Sequence, residues 1–424
     1  MKQYNITTLA NKMSYISAPL VGTKTITALV VIKTGSKYES RRENGLSHFL
    51  EHMFFKGTIK RPTALILSSE LDSVGGEYNA FTSKEYTGYW IKVSSDKTEI
   101  ALELVSDMLL NSTFPAEEIE REKGVIIEEL NMYEDNPLMR IEDIFETCLY
   151  GDTPAGWDVI GTRANIKAFK RQDFINYLHR QYGASSATLI LSGNLPKNTN
   201  TLVKKYFSSF SKNAWRNKVK VKEVQKVPAM LSIHKKTDQI SLSLGVRTEA
   251  SGHKEEFVIK MLAIILGGSM SSRLFSEIRE RRGLAYSVRC GAEFYSDSGY
   301  LATTAGIKLG HEAEVINIII REYKRISEEL VSLEELNRAK DMIKGRLAIS
   351  LEASDDLANW YGKQAIMRKK YLTPSDYLLE IDKITPADLK RVAKKIFIEK
   401  NLNLALIGSL TAKQQTELKK ELKF

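Results

Sequence analysis

Cysteine is nearly missing from this chain of 424 residues: Cys148 and Cys290 are the only two, far apart in sequence. Neither has a partner at metal-ligand spacing, so a disulfide framework and a cysteine zinc site are both excluded, and each is read as a buried thiol. Long apolar runs are missing as well. Ile26 to Ile32 and Phe257 to Leu266 are the longest, well short of the roughly 18 residues that span a bilayer. No membrane crossing is expected. The start, Met1-Lys2-Gln3-Tyr4-Asn5, lacks both a secretory apolar core and an Arg/Ser-rich amphipathic presequence, so a cytoplasmic location is expected. Low-complexity segments are absent too, and histidine is scarce, with six in the chain.

What is present describes a folded globular chain, 43% hydrophobic and 27% charged. The length exceeds one ordinary core, since domains run to about 100–200 residues, and two large domains are expected. A net charge of +10 raises the question of nucleic acid. The basic residues are spread along the chain, however, and the densest runs, Lys212 to Lys226 and Lys419 to Lys423, hold a single aromatic, Trp215. That pattern has neither the clustering nor the stacking platform of a nucleic-acid surface, so no such partner is expected.

The two halves of the chain resemble each other. Thr87-Gly88-Tyr89-Trp90 and a helical pattern through Leu109 correspond to Ser298-Gly299-Tyr300-Leu301 and a similar pattern through Ile320, at an offset of 211 residues. Farther on, Ala187 to Asn194 corresponds to Leu402 to Ser409. A repeat of this length reports a duplicated domain rather than a solenoid. The polar, basic stretch Ser211 to Lys226 reads as the exposed connection, which places domains at 1–212 and 230–424 around a linker at 213–229. Short β-branched runs and longer 3.6-period segments alternate without a βαβ rhythm. The expected class is therefore α+β: two homologous domains, each a largely antiparallel sheet covered by helices.

One helix stands out chemically. Between Gly45 and Phe55, the apolar Leu46, Phe49, Leu50, Met53 and Phe54 fall on one stripe, and His48, Glu51, His52 and Phe55 on another. Gly57 can end it. A histidine pair at i, i+4 offers two nitrogens one turn apart. Zinc hydrolysis sites use three protein ligands and a neighbouring carboxylate as general base, a role for which Glu51 is placed. Chance would give this pentapeptide in about one such sequence in a hundred, so function is preferred over two incidental histidines. The other four, His179, His234, His253 and His311, lack partners and read as surface or packing residues. The third ligand must come from elsewhere. Ala116 to Asn131 is the most carboxylate-dense helix of the same half, with Glu118, Glu122, Val125 and Glu129 on one stripe and Glu128 about 100° round from Glu129. Alone, such a stripe would be a solvated acidic face.

The segment Gly45-Leu46-Ser47-His48-Phe49-Leu50-Glu51-His52-Met53-Phe54-Phe55-Lys56-Gly57-Thr58 resembles the insulinase/pitrilysin metallopeptidases, whose inverted zinc motif is H-x-x-E-H. Gly75 to Ser83 and Gly124 to Leu130 look like the family's following blocks, and Leu266 to Phe275 with Arg279 through Tyr286 like a later one. The resemblance covers essentially the whole chain and is nearest the short, processing-peptidase-like members. It implies a zinc metalloendopeptidase acting on short or unfolded peptides in an enclosed chamber, with His48, His52 and Glu129 as ligands of one zinc ion per chain. It further implies Glu51 as general base, Glu122 as supporting carboxylate, and Arg279 and Tyr286 as the pair that holds substrate and polarises the scissile carbonyl. The strand Asn79, Ala80, Phe81 and Thr82 would offer an edge to an extended peptide, and Phe55 would line a side-chain pocket.

At the same offset, His48, Glu51 and His52 fall opposite Ile259, Leu262 and Ala263. The second copy therefore keeps the helix without the metal residues, and the first domain is expected to be catalytic. A chain of this length with both the zinc motif and the Arg/Tyr pair implies a homodimer, with a heterodimer as the alternative. Nothing matches the long glycine-rich loop of the non-catalytic processing-peptidase subunit, which counts against presequence processing. The competing functional reading is a catalytically silent scaffold or partner subunit. Intact His48, Glu51, His52 and Glu129 argue against it.

Overall fold

β-branched side chains suit a pleated backbone, and alternate residues reach opposite faces, so the short apolar runs should become strands. The computed structural model bears this out over residues 4–212 and 215–424. Met1 to Gln3, part of the start read above, and Asn213 and Ala214, the first residues of the expected linker, lie outside the described residues. In the first half β1 (Asn5–Thr8), β2 (Ser14–Pro19), β3 (Thr25–Ile32), β4 (Glu77–Thr82), β5 (Thr87–Ser94) and β6 (Ala187–Gly193) form a sheet in the order β1-β2-β6-β3-β5-β4. β2 and β6 pair in parallel and the other neighbours antiparallel. In the second half β7 (Ala229–His234), β8 (Gln239–Thr248), β9 (Ala285–Phe294), β10 (Gly299–Lys308) and β11 (Leu402–Gly408) run in the order β7-β11-β8-β10-β9, again with one parallel pair, β7 with β11. Apart from β1, the two orders and their directions coincide. The internal repeat is a duplicated α+β fold of two mostly antiparallel sheets.

The compact units are not contiguous in sequence. One comprises Met1–Asn131, Trp157–Val219 and Leu347–Thr373, the other Met132–Gly156, Lys220–Arg346 and Pro374–Phe424. The crossing at Val219 falls inside the expected linker, but each unit also takes a segment from the opposite half, which the contiguous division at 213–229 leaves out. In the first unit, Ile16, Leu29, Val31 and Ile190 pack against Leu357, Ala358 and Tyr361 of the helix Ser354–Met367. The alternate residues Ala28 and Val30 are also fully buried, and the helix Thr98–Asn111 lies against β3 and β5. Cover on both faces explains why β3 reads as an unbroken apolar run rather than an alternating one.

The second unit mirrors this. Ala302, Ala405 and Ile407 meet Ile141, Ile144 and Phe145 of the helix Pro137–Tyr150. Leu242, Leu244, Leu404 and Leu406 join Ile259 and Leu262 of the helix Glu256–Gly267 and Ile316, Ile319 and Tyr323 of the helix Glu312–Glu328. Each of these leucine, isoleucine and phenylalanine side chains, removed from water, stabilises its unit by about 1.5–3 kcal/mol. Among the described residues no helix is long and apolar enough to cross a membrane.

Candidate metal centre

The helix that carries the histidines runs from Leu46 to Met53, shorter than the span read from sequence, so that Phe55 lies just beyond its end. Its N-cap, Gly45, has φ +99°, and a Cβ there would stand 2.6 Å from the Ile160 carbonyl oxygen, so only glycine fits. Leu46, Phe49, Leu50, Met53 and Phe54 are fully buried. That apolar stripe fixes the rotation of the helix and turns His48, Glu51 and His52 together the other way.

The acidic helix, Ala116–Asp135, meets them. Glu129 Oε2 lies 3.5 Å from His48 Nε2 and 3.5 Å from His52 Nε2. These gaps are too long for charge-assisted hydrogen bonds, which close to about 2.7–2.9 Å. They suit donors on a shared tetrahedral ion, because zinc bonds of about 2.0–2.2 Å place ligand atoms about 3.3–3.5 Å apart. One donor atom from each of the three residues lies within 4.8 Å of the other two. Two imidazoles and a carboxylate form the donor set of a hydrolytic zinc site, and these residues fit the ion. Of the other carboxylates singled out on this helix, Glu118 pairs with Arg121 and Glu128 faces solvent.

Glu122 is buried and accepts from His52 Nδ1 at 2.9 Å while its second oxygen receives Lys56 Nζ at 2.6 Å. Such a contact is of the kind that fixes the tautomer and orientation of an imidazole that holds a metal. Burial opposes ionisation of Glu129, but the two imidazoles beside it hold its carboxyl down at about 2. Burial likewise works against a charge on His52, yet its hydrogen bond to Glu122 and the nearby negative charges of Glu51 and Glu129 raise it to about 9. Glu51 behaves differently. Burial pushes its carboxyl above the usual range against the lowering effects of His48, Thr82 and His52. A half-buried carboxylate that readily takes a proton suits a general base.

Strand β4 is an edge of its sheet, and alternation decides what each of its residues does. Thr82 Oγ1 donates to Glu51 Oε2 at 2.5 Å, so the hydroxyl expected among the substrate contacts also holds Glu51 in place. Two turns of the pleat away on the same face, Tyr78 lies against Phe55, the rings tilted by 30° with centroids 5.8 Å apart. Phe81 lies on the opposite face, edge-on to Tyr86 and packed on the core cluster around Tyr361, which corrects its expected place beside the site. Gly88, across from Phe81 on β5, makes room for that ring, since a Cβ would sit 2.2 Å from it. Asn79 is exposed, and its Oδ1 accepts from the Ala80 N–H at 2.8 Å. The sequence reading missed Tyr78, Lys56 and the second role of Thr82. A period of two from Thr82, and of four from His52, would have pointed to the first two.

In the other unit, Arg279 lies in a π-helical stretch, Phe275–Glu280, a backbone irregularity frequent at functional sites. Its guanidinium stands 4.9 Å from the centroid of Phe275 and 5.0 Å from that of Tyr286. Arg279 and Tyr286 are thus in contact, with Tyr286 77% exposed. A second acidic and histidine group, Glu249, His253 and Glu255, also gathers there. Lys395 reaches Glu249 at 2.6 Å and Glu255 at 2.8 Å, and Arg391 reaches Glu255 at 2.8 Å, so lysine and arginine already neutralise the carboxylates.

Residues 16–163 match the family described as Insulinase (Peptidase family M16), and residues 168–343 the one described as Peptidase M16 inactive domain. A Bacillus subtilis protein described as an uncharacterized zinc protease, YmxG, is 34% identical over 379 residues, covering 89% of this chain and 92% of that protein. A Streptomyces coelicolor protein, also described as an uncharacterized zinc protease, is 31% identical, with 97% of this chain and 91% of the relative covered. The crystal structure of a protease from Helicobacter pylori has a TM-score of 0.91 at 24% identity, over 96% of this chain and 100% of that one. At that identity the likeness speaks for the fold.

Proposed function

From the premise that the chain belongs to the insulinase family of peptidases, family M16, we propose that it is a zinc-dependent endopeptidase of short or unfolded peptides. The observation that carries this reading is the convergence of His48, His52 and Glu129 beside a half-buried, threonine-held Glu51. Zinc, when bound, supplies a positive charge that polarises a peptide carbonyl and lowers the pKa of water to roughly 7. His48, His52 and Glu129 would hold one ion per chain. Glu51 takes the proton of the attacking water and passes it to the leaving amine, a transfer worth about 10²–10⁴-fold. Thr82 keeps one Glu51 oxygen in place, which leaves the other to accept. Glu122, itself held by Lys56, fixes the His52 ring.

The open edge of β4 suits an extended peptide bound by main-chain hydrogen bonds, with Asn79 and Ala80 at the contact and Phe55 with Tyr78 against a substrate side chain. Such binding reads backbone more than sequence, in keeping with unfolded substrates. Arg279 and Tyr286 would grip the substrate and stabilise the developing oxyanion. A homodimer enclosing a chamber belongs to the same proposal, because one chain carries both the metal residues and the Arg/Tyr pair; light scattering would measure it. The test of the activity is cleavage of an unstructured peptide mixture, read by mass spectrometry, before and after chelation. Cleavage lost to chelator and restored by zinc is expected, and cleavage indifferent to chelation would sink the proposal.

A further inference from the structure

The two histidines are held differently. His52 sits in the last turn of its helix and has Glu122 on its Nδ1. His48 sits in the first turn, and its Nδ1 is buried without a hydrogen-bond partner. No outer carboxylate orients it, so its position depends on its backbone. First turns are where helices fray, because their N–H groups have no carbonyl within the helix. Gly45, as N-cap, brings no side chain to satisfy them.

We propose that Glu39 is the positioning residue for His48, acting as a remote cap on the metal helix. Its side chain reaches in from outside the helix: Oε2 accepts from the Gly45 N–H at 2.9 Å and from Asn44 Nδ2 at 3.3 Å, and Oε1 accepts from the Ser47 N–H at 2.7 Å. The residue is only 3% exposed, so these bonds are sheltered from competing water. Burial pushes its carboxyl up to about 7 against the lowering effect of these hydrogen bonds, and when ionised it sets a negative charge at the positive end of the helix dipole. Asn44 is tied in turn to the Asp158 carbonyl at 2.8 Å, which anchors the clamp to the segment against which Gly45 is wedged. Glu39 thus does for His48, through the backbone, what Glu122 does for His52 through the ring. The sequence reading passed over it because it lies outside the helix it caps.

This inference rests on the zinc reading above, but its test does not require catalysis. Zinc affinity would be measured by competition with a chromogenic chelator on the full chain, for wild type, Glu39→Gln, Asn44→Ala and a control, Val246→Ala, in the core of the other unit. Glu39→Gln keeps the shape but sets an amide N–H₂ against a backbone N–H. It is expected to weaken zinc binding about 10–100-fold, as loss of an outer partner does. Asn44→Ala, which removes one donor and leaves the carboxylate, should lose less in the same direction and serves if Glu39→Gln does not fold. Val246→Ala should lower the melting temperature with zinc affinity unchanged. Wild-type zinc affinity in both clamp variants, or an equal loss in the control, would overturn the proposal. A wild type that binds zinc but cleaves nothing would count against the peptidase and leave this inference standing; a wild type that binds no zinc would sink both.

Discussion

The helix Leu46–Met53 and its counterpart Glu256–Gly267 occupy the same place in two copies of one fold, and they differ in what the inner positions hold. In the first copy His48, Glu51 and His52 are polar and meet Glu129 and Glu122 of the acidic helix. In the second, Ile259 and Leu262 are fully buried and Ala263 nearly so, inside one continuous apolar cluster. Buried polar groups stabilise a fold only when fully partnered, whereas apolar groups stabilise it unconditionally. The first copy accepts a conditional core in return for chemistry. Its second helix, outer carboxylate and edge-strand threonine are the conditions.

The comparison can be broken from the active side first. His52→Ala removes a ligand that Glu129 and Glu122 both face, and should abolish zinc retention through gel filtration together with peptide cleavage. Cleavage at the wild-type rate would mean the metal centre lies elsewhere. From the other side, Ile259→His with Ala263→His copies the histidine pair into the second helix, inside an apolar cluster. Because Glu255 and Glu256 at the start of that helix are already paired with Arg391, Lys395 and Lys260, the double variant should gain no zinc and lose about 3 kcal/mol or more of stability, read by denaturant unfolding. Zinc binding by the second unit would contradict the account of what the site requires. A finer probe is Glu122→Gln, which keeps the shape but weakens the hold on His52 Nδ1; zinc affinity should fall about 10–100-fold. The smallest effect is expected from Thr82→Val. It removes one hydrogen bond to Glu51, worth about 1–1.5 kcal/mol, and should lower kcat about tenfold with KM and zinc content unchanged. A rise in KM alone would return Thr82 to the substrate contacts.

How much of this was legible in advance depends on how local each signal is. The His48–Glu51–His52 face follows from helical period alone, because the burial of Leu46, Phe49, Leu50 and Met53 fixes the rotation. Glu129 was less legible. Eight carboxylates crowd one helix, and only its packing against the histidines separates Glu129 from neighbours such as Glu118, Glu122 and Glu128, so the choice came from family resemblance. In β4 the sequence reading grouped four consecutive residues as substrate contacts, although a strand must send Phe81 and Thr82 to opposite faces. The exchange of the helices Pro137–Tyr150 and Ser354–Met367 left no local trace. Their amphipathic patterns say that each covers a sheet, but not which one, and that choice is made by partners far away in sequence. Glu39 was invisible for the same reason.

The most direct test of the account sets zinc content beside turnover in wild type and Glu51→Gln. Loss of the general base should leave about one zinc per chain in both proteins while peptide cleavage falls by 10² to 10⁴-fold in the variant. Wild-type turnover in Glu51→Gln, or a wild type that carries zinc and cleaves no peptide, would contradict the claim that this helix is the working centre of a peptidase.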